Sequence, residues 1–317
     1  MLKDILKHSE LTKLIADENF AREFIEFLRW PNGAICPRCE ATKVYKIAAN
    51  PEKKVRKGLY KCAACKKQFT VTVGTIFEDS HVALNKWIHA IHLLCSSKKG
   101  FSAHQLHRTL GIRYPSAWHL MHRIRHVMAD EMPEVQFDGI VEADETYFGG
   151  KAKNMHKKVR KEKIQGRGAV AKEAVFTLVE RGGNVKTTHV ASVTGSNLKE
   201  AMRNLVAPTA RIMSDESACY NDTDQHFADH QAVNHHKGEY VRDDAHINTS
   251  ESVHAIMKRG VIGVYHHWSA AHLHRYLSEF DFRFNRRKMT DGERMVEALR
   301  KVEGKRLMYK AAKNSVG

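Results

Sequence analysis

The chain has 317 residues, 42% of them hydrophobic, with 52 lysines and arginines against 36 acids and a formal net charge of +16 with its 21 histidines neutral. That length predicts two or three units with real cores, and the basic excess points to a polyanionic partner rather than a small metabolite. No run of about 18 apolar residues occurs, which excludes membrane insertion, and Met1 to Leu14 mixes lysines with Asp4 and Glu10, unlike a secretory signal.

A reducing cytoplasm is therefore expected, and there clustered cysteines read as metal ligands or chemistry rather than as a disulfide framework. Residues 1–30 are predicted to form a helical segment, followed by a module over 31–80 that contains Cys36-Pro-Arg-Cys39 and Cys62-Ala-Ala-Cys65 with 22 residues between the pairs. Two such pairs can aim four thiolates at one ion and close its shell, so Cys36, Cys39, Cys62 and Cys65 predict a structural zinc ribbon. Two disulfides or a redox dithiol are the competing readings.

Over 81–132 the apolar spacing predicts three helices. The first carries Leu84, Trp87, Ile88, Ile91, Leu94 and Cys95 on one face; the second starts at Ser102 and stops at Gly111. The third buries Ala117, Leu120, Ile124, Val127 and Met128 and is expected to expose Ser116, His119, Arg123 and His126. A short helix, a turn and a longer helix with a basic face predict a helix-turn-helix segment; a plain three-helix packing unit is the bland alternative.

The predicted catalytic domain spans 133–290, with an α/β order and a mixed sheet, and 291–317 is expected to be a helical tail; the whole chain is thus a multidomain α+β protein. Ile140 onward reads as a strand carrying Asp144, and Ala174 to Glu180 with Val185 to Val193 reads as a hairpin turning through Gly182-Gly183. Ser196 to Val206 reads as a helix, and Ala210 to Met213 as a strand leading into Asp215. Strand, hairpin, helix and strand, with Asp144 and Asp215 on neighbouring strands, predict an RNase-H-like fold. Between them, residues 151–167 read as a mobile basic loop that offers Lys151, Lys157, Lys158 and Arg160 to DNA.

A further helix is expected after Asn248, Thr249 and Ser250, each able to cap it. At about 100° per residue, Glu251, His254 and Lys258 share one stripe of that helix. Asp144, Asp215 and Glu251 together can hold two Mg²⁺ or Mn²⁺ ions of the kind that cut phosphodiesters, with Lys258 on a phosphate. Singly, each acid is more often a solvated group or a helix cap than a ligand; in combination the metal reading prevails. Segment 215–251 has nine acids and a net charge of −7 between basic flanks, which suggests cation capture.

Several motifs in order now carry a resemblance. They are Val141-Glu-Ala-Asp-Glu-Thr-Tyr-Phe-Gly-Gly-Lys151, Ser214-Asp215 with Ala218 and Tyr220, Val233-Asn-His235, Asn248-Thr-Ser-Glu251 through Lys258-Arg-Gly260, and in the tail Gly263 to Ser269 and Tyr276 to Arg287. From the zinc ribbon to about Arg287 the chain resembles the DDE transposases of bacterial insertion sequences, in the group with a zinc ribbon ahead of an ISXO-type RNase-H-like domain. The resemblance implies that Asp144 and Asp215 are the first two catalytic acids, Glu251 the third, and Lys258 the lysine seven residues later. Asn248 and His254 are rivals for the third position, and His254 stands where many relatives carry tryptophan. It further implies double-stranded DNA as partner, both the terminal inverted repeats and the target, and a homodimer or larger synaptic complex on the bacterial nucleoid. An inactive zinc-ribbon regulator and a stand-alone structure-selective nuclease are the alternatives.

Overall fold

The computed structural model describes residues 8–129, 136–150, 155–163 and 172–309. These fall into two compact units, one within Met1–Met128 and Lys288–Gly317, the other within Ala129–Arg287. No helix among the described residues is long and apolar enough to cross a membrane.

The first unit begins with α1 (His8–Ala16) and α2 (Glu18–Arg29). Asp17 starts α2 by accepting hydrogen bonds from the amides of Asn19 and Phe20, and Ala21, Phe24 and Ile25 are its buried positions. Strands β1 (Val44–Ile47), β2 (Leu59–Cys62) and β3 (Gln68–Phe69) form an antiparallel sheet in that order. So small a sheet cannot bury much surface by itself. Trp30, at the end of α2, packs edge-on against Tyr60 and Phe69 at centroid distances of 5.4 and 5.9 Å and supplies the missing apolar cover.

Helices α3 (Leu84–Ser96), α4 (Ala103–Leu110) and α5 (Tyr114–Met128) follow. The Ser102 hydroxyl accepts from the Gln105 amide, and Gly111 ends α4 in the left-handed region at φ 59°, a conformation that costs glycine little. Ala117, Leu120, Ile124, Val127 and Met128 are buried as the periodicity predicts. Ser116 is exposed and His119 and His126 are half-buried. Arg123 departs from the sequence reading: it is 5% exposed, its guanidinium donates to the Glu78 carbonyl and lies 5.4 Å from the Trp87 ring centroid. A carbonyl acceptor and an aromatic face together replace water around the charge. The terminal helix Asp291–Arg300 belongs to this unit, where Arg294 donates to the Cys95 carbonyl of α3 at 2.8 Å.

The second unit runs β4 (Ile140–Phe148), α6 (Lys157–Lys163), β5 (Glu173–Glu180), β6 (Val185–Val190), α7 (Gly195–Leu205), β7 (Arg211–Asp215), β8 (Asp229–Val233), α8 (Asn248–Gly260) and α9 (Ala270–Asn285). Its sheet has the order β6-β5-β4-β7-β8, with β4, β5 and β6 antiparallel and β7 and β8 parallel to β4 and to each other. This is the RNase-H-like arrangement expected from the sequence, extended by β8. Alternation along the strands divides the core in two. Val141, Ala143, Phe176 and Leu178 face Leu198, Met202 and Leu205 of α7. Phe148, Val175 and Val179 face Val253 and Met257 of α8 and Leu273, Leu277 and Phe280 of α9.

Two differences from the sequence reading stand out. Within the basic stretch 151–167, Lys157–Lys163 is a short helix, because lysine, arginine and glutamate are good helix formers and neither glycine nor proline interrupts them. Asn248, Thr249 and Ser250 lie inside α8 rather than ahead of it; the cap position is Ile247, which has no side chain to offer.

Helix α9 closes the edge strand β6. Asp281, 6% exposed, accepts from the Thr187 amide at 3.0 Å and its hydroxyl at 2.8 Å, while Asn285 exchanges bonds with the Val185 backbone. Asp281→Ala strips two donors of their acceptor at about 1–3 kcal/mol each. Urea unfolding should show a loss of roughly 2–6 kcal/mol; a change below about 0.5 kcal/mol, the range of ordinary surface substitutions, would contradict that account.

Candidate metal centres

Cys36 and Cys39 lie in the loop after α2, Cys62 ends β2, and Cys65 lies in the turn that follows. Each pair is followed by a residue in the left-handed region, Glu40 at φ 58° and Lys66 at φ 59°. Such residues cost about 1 kcal/mol or more outside glycine, and here they bend both loops in the same way. The Sγ atoms of Cys36 and Cys65 are 3.7 Å apart and those of Cys39 and Cys62 3.6 Å, and all four lie within 4.8 Å of one another. Thiolates about 2.3 Å from a shared zinc form a tetrahedron with edges of about 3.8 Å, which the spacing fits, whereas a disulfide needs about 2.05 Å. None of the six cysteines is disulfide-bonded.

The second centre sits where β7 ends at Asp215, beside the middle of β4. These strands run parallel with Glu142 opposite Met213, so Asp144 and Asp215, each two residues further, come level on one face. Oxygen atoms of Asp144, Glu145 and Asp215 lie within 4.8 Å of one another, and all three residues are half-buried. Glu145 points to the other face, where the Tyr220 hydroxyl donates to it. Burial pushes the Glu145 carboxyl up to about 7; the bond from Tyr220 opposes this, and the charges of Asp215 and Asp144 add to it. Burial also raises Asp215, against the pull of the Ser217 amide and with the charges of Asp144 and Glu216 adding to the rise. Three acids crowded in a half-dry site beside the end of β7 repel one another, and an all-oxygen donor set of this kind suits a hard divalent cation such as Mg²⁺ or Mn²⁺.

Helix α8 supplies the other side. His254 is 4% exposed; its Nδ1 is 3.2 Å from Asp144 Oδ2, and its Nε2 is 2.8 Å from the buried Thr177 hydroxyl on β5. Glu251, one turn earlier on the same stripe, is exposed, as are Asn248 and Lys258. Glu251 is not among the acids that converge within 4.8 Å, whereas Glu145 is. Adjacent strand residues face opposite sides, which hides Glu145 from a reading of the sequence; β7 stops at Asp215 while β4 runs on to Phe148, so past the end of β7 carboxylates from both faces of β4 reach one point. Tyr220 belongs to the motif that follows Asp215, and no local signal marks its hydroxyl as the partner of Glu145.

Several acids of segment 215–251 are held by neighbours rather than gathered at one point. Arg211 reaches Asp229 at 3.1 Å and Asp244 at 2.7 Å, and Glu216 accepts the His235 and His236 amides. Of that segment, Asp215 alone enters the converging group. Lys157, Lys158 and Arg160 are exposed on α6, and Lys151 lies outside the described residues.

The titration of Glu145 has a measurable sign. Below about pH 7 its proton must leave before a cation can take the site, so Mn²⁺ affinity is expected to rise between about pH 6 and 8 and then level off. Titration of the full chain followed by the Mn²⁺ electron paramagnetic signal measures it; affinity independent of pH would remove Glu145 from the ligand set.

Acids gathered from adjacent parallel strands in this sheet order are the pattern of an RNase-H-like domain. Residues 136–285 match the ISXO2-like transposase domain, and residues 16–68 match the transposase zinc-ribbon domain. The two matches cover well over half of the 317 residues, and the chain belongs to the transposase family that joins these domains. It is also 28% identical, over 285 residues, to an uncharacterized protein in transposable element ISH50 of Halobacterium salinarum, an alignment spanning 86% of this chain and 92% of that one.

Proposed function

We propose that this protein binds the terminal inverted repeats of its element and catalyses metal-dependent strand cleavage and strand transfer. The observation that carries the reading is the convergence of Asp144 and Asp215, with Glu145, where β7 ends beside the middle of β4. Asp144 and Asp215 would hold Mg²⁺ or Mn²⁺, with Glu251 reaching in from α8 as the third acid. Bound there, such ions activate a water or 3′-hydroxyl and stabilise the leaving oxygen of the phosphodiester. His254, held by Thr177, orients the Asp144 carboxylate. Lys258, exposed two turns beyond Glu251, would meet a DNA phosphate, as would Lys151, Lys157, Lys158 and Arg160.

The zinc ribbon and helices α3 to α5 would grip the element ends, with Ser116, His119 and His126 the side chains left to reach DNA once Arg123 is buried. Pairing two ends calls for a homodimer or larger synaptic complex on the nucleoid. Binding should weaken steeply with salt, as for any interface that neutralises many phosphates.

Labelled duplexes carrying the element end test the reading with Mg²⁺ present. Cutting at the end and joining to a second duplex is the expected result. Binding without cutting would sink the enzyme reading in favour of a regulator, and cutting blind to the end sequence would favour a nuclease.

A further inference from the structure

Glu142 is fully buried on β4, and nothing in the chemistry above uses it. It accepts hydrogen bonds from the amides of Thr249 and Ser250 at 2.8 and 3.0 Å, from the Thr249 hydroxyl at 3.0 Å and from Arg181 Nε at 2.8 Å. His246 Nδ1 lies 3.3 Å from it. The same Arg181 donates to the carbonyls of Asp244 and His246, both at 2.7 Å, and so fastens the chain that leads into α8.

The first amides of a helix have no partner within it, and its start carries partial positive charge. Ile247 cannot serve them, so the cap of α8 comes from the sheet. A local serine or aspartate would cap the helix without burying a charge. What a carboxylate on β4 adds is register. Glu142 and Asp144 point to the same side of the strand, about 6.7 Å apart along it. Ser250 and His254 are one turn apart on α8, about 6 Å along its axis. The spacings match, so strand and helix meet at two pegs, Glu142 on Ser250 and Asp144 on His254. A slip of one residue would turn the Glu251, His254 and Lys258 stripe by about 100° away from the acids.

We propose that Glu142 is a positioning residue, which through Arg181 and the start of α8 sets the register that presents that stripe to Asp144 and Asp215. The proposal rests on reading those acids as the metal-binding catalytic group. Glu142→Gln in the full chain tests it, since glutamine keeps the shape but offers one acceptor oxygen where the carboxylate offers two. Expected are retained zinc content and DNA binding, faster hydrogen exchange at the Thr249 and Ser250 amides, and Mn²⁺ affinity lower by roughly 10–100-fold, as for other groups that support metal ligands.

Mn²⁺ affinity within twofold of the wild type in a folded variant would overturn the proposal, and so would a lowered melting temperature with binding per folded molecule intact. If the single variant fails to fold, Glu142→Gln with Arg181→Met removes both charges of the buried pair, usually a smaller penalty than removing one, and the same readings decide. Neither the Mn²⁺ affinity nor the amide exchange needs DNA. A wild type that binds Mn²⁺ but cuts nothing would therefore sink the transposition chemistry and leave Glu142 to be judged on its own.

Discussion

Asp144→Ala is expected to abolish strand cleavage while leaving binding to element-end DNA within about twofold, because the DNA grip is assigned to other residues. Asp144 lies between Asp215 and Glu145 on one side and His254 on the other, so its loss removes both a ligand and the partner of the buried imidazole. Charge stabilisation at such a centre supplies several kcal/mol, and each 1.36 kcal/mol is tenfold in rate, so the loss should be at least roughly 10³-fold. Asp215→Ala should match it. Glu251→Gln and His254→Ala then separate the helix roles. Loss of Mn²⁺ binding as severe as in Asp144→Ala is expected for Glu251→Gln, and a partial loss for His254→Ala. The reverse order would make the histidine the third ligand. Cleavage by Asp144→Ala within tenfold of the wild type would remove the acidic group from catalysis.

Removing the zinc is expected to unfold the ribbon. Its three strands bury little beyond the cluster of Trp30, Tyr60 and Phe69, and small sheets of this kind depend on their metal. Structural zinc contributes on the order of 10–16 kcal/mol in apparent binding free energy at neutral pH, more than such a module can replace. A strong chelator, or Cys62→Ser, should therefore erase the near-ultraviolet signal of Trp30 and the binding of element ends. Helices α7 to α9 and the five-stranded sheet should keep their hydrogen-exchange protection, because their core shares no residue with the ribbon. An unchanged Trp30 signal after complete zinc removal would contradict the structural role of the metal.

Much of this arrangement was legible locally. Two Cys-x-x-Cys turns state their chemistry whatever surrounds them, since a knuckle needs only its own few residues to aim two thiolates. The strand, hairpin, helix and strand order of the second unit could be read from alternation and glycine turns, and it implied that Asp144 and Asp215 would lie side by side. Buried stripes on α3 and α5 followed from a 3.6-residue period. The same period placed Arg123 on the open face of α5, and there it misled, because helical phase says which residues face each other and nothing about a carbonyl and an indole arriving from elsewhere in the chain. The acidic segment 215–251 misled in a similar way: Arg211 neutralises Asp229 and Asp244 from β7.

The net charge, the thiolate set, the order of the elements and the two aspartates were thus determined by the sequence itself, since composition, spacing and period are local or additive properties. Which acids converge, which cation is buried and what caps α8 were decided only by the tertiary structure. Glu145 joins Asp144 only because β7 stops beside them, His254 meets Asp144 across the space between helix and sheet, and Glu142 caps a helix that begins 106 residues after it in the chain. Each of these depends on distances between segments far apart along the chain, which hydrophobic packing and hydrogen-bond register set together and no single segment encodes.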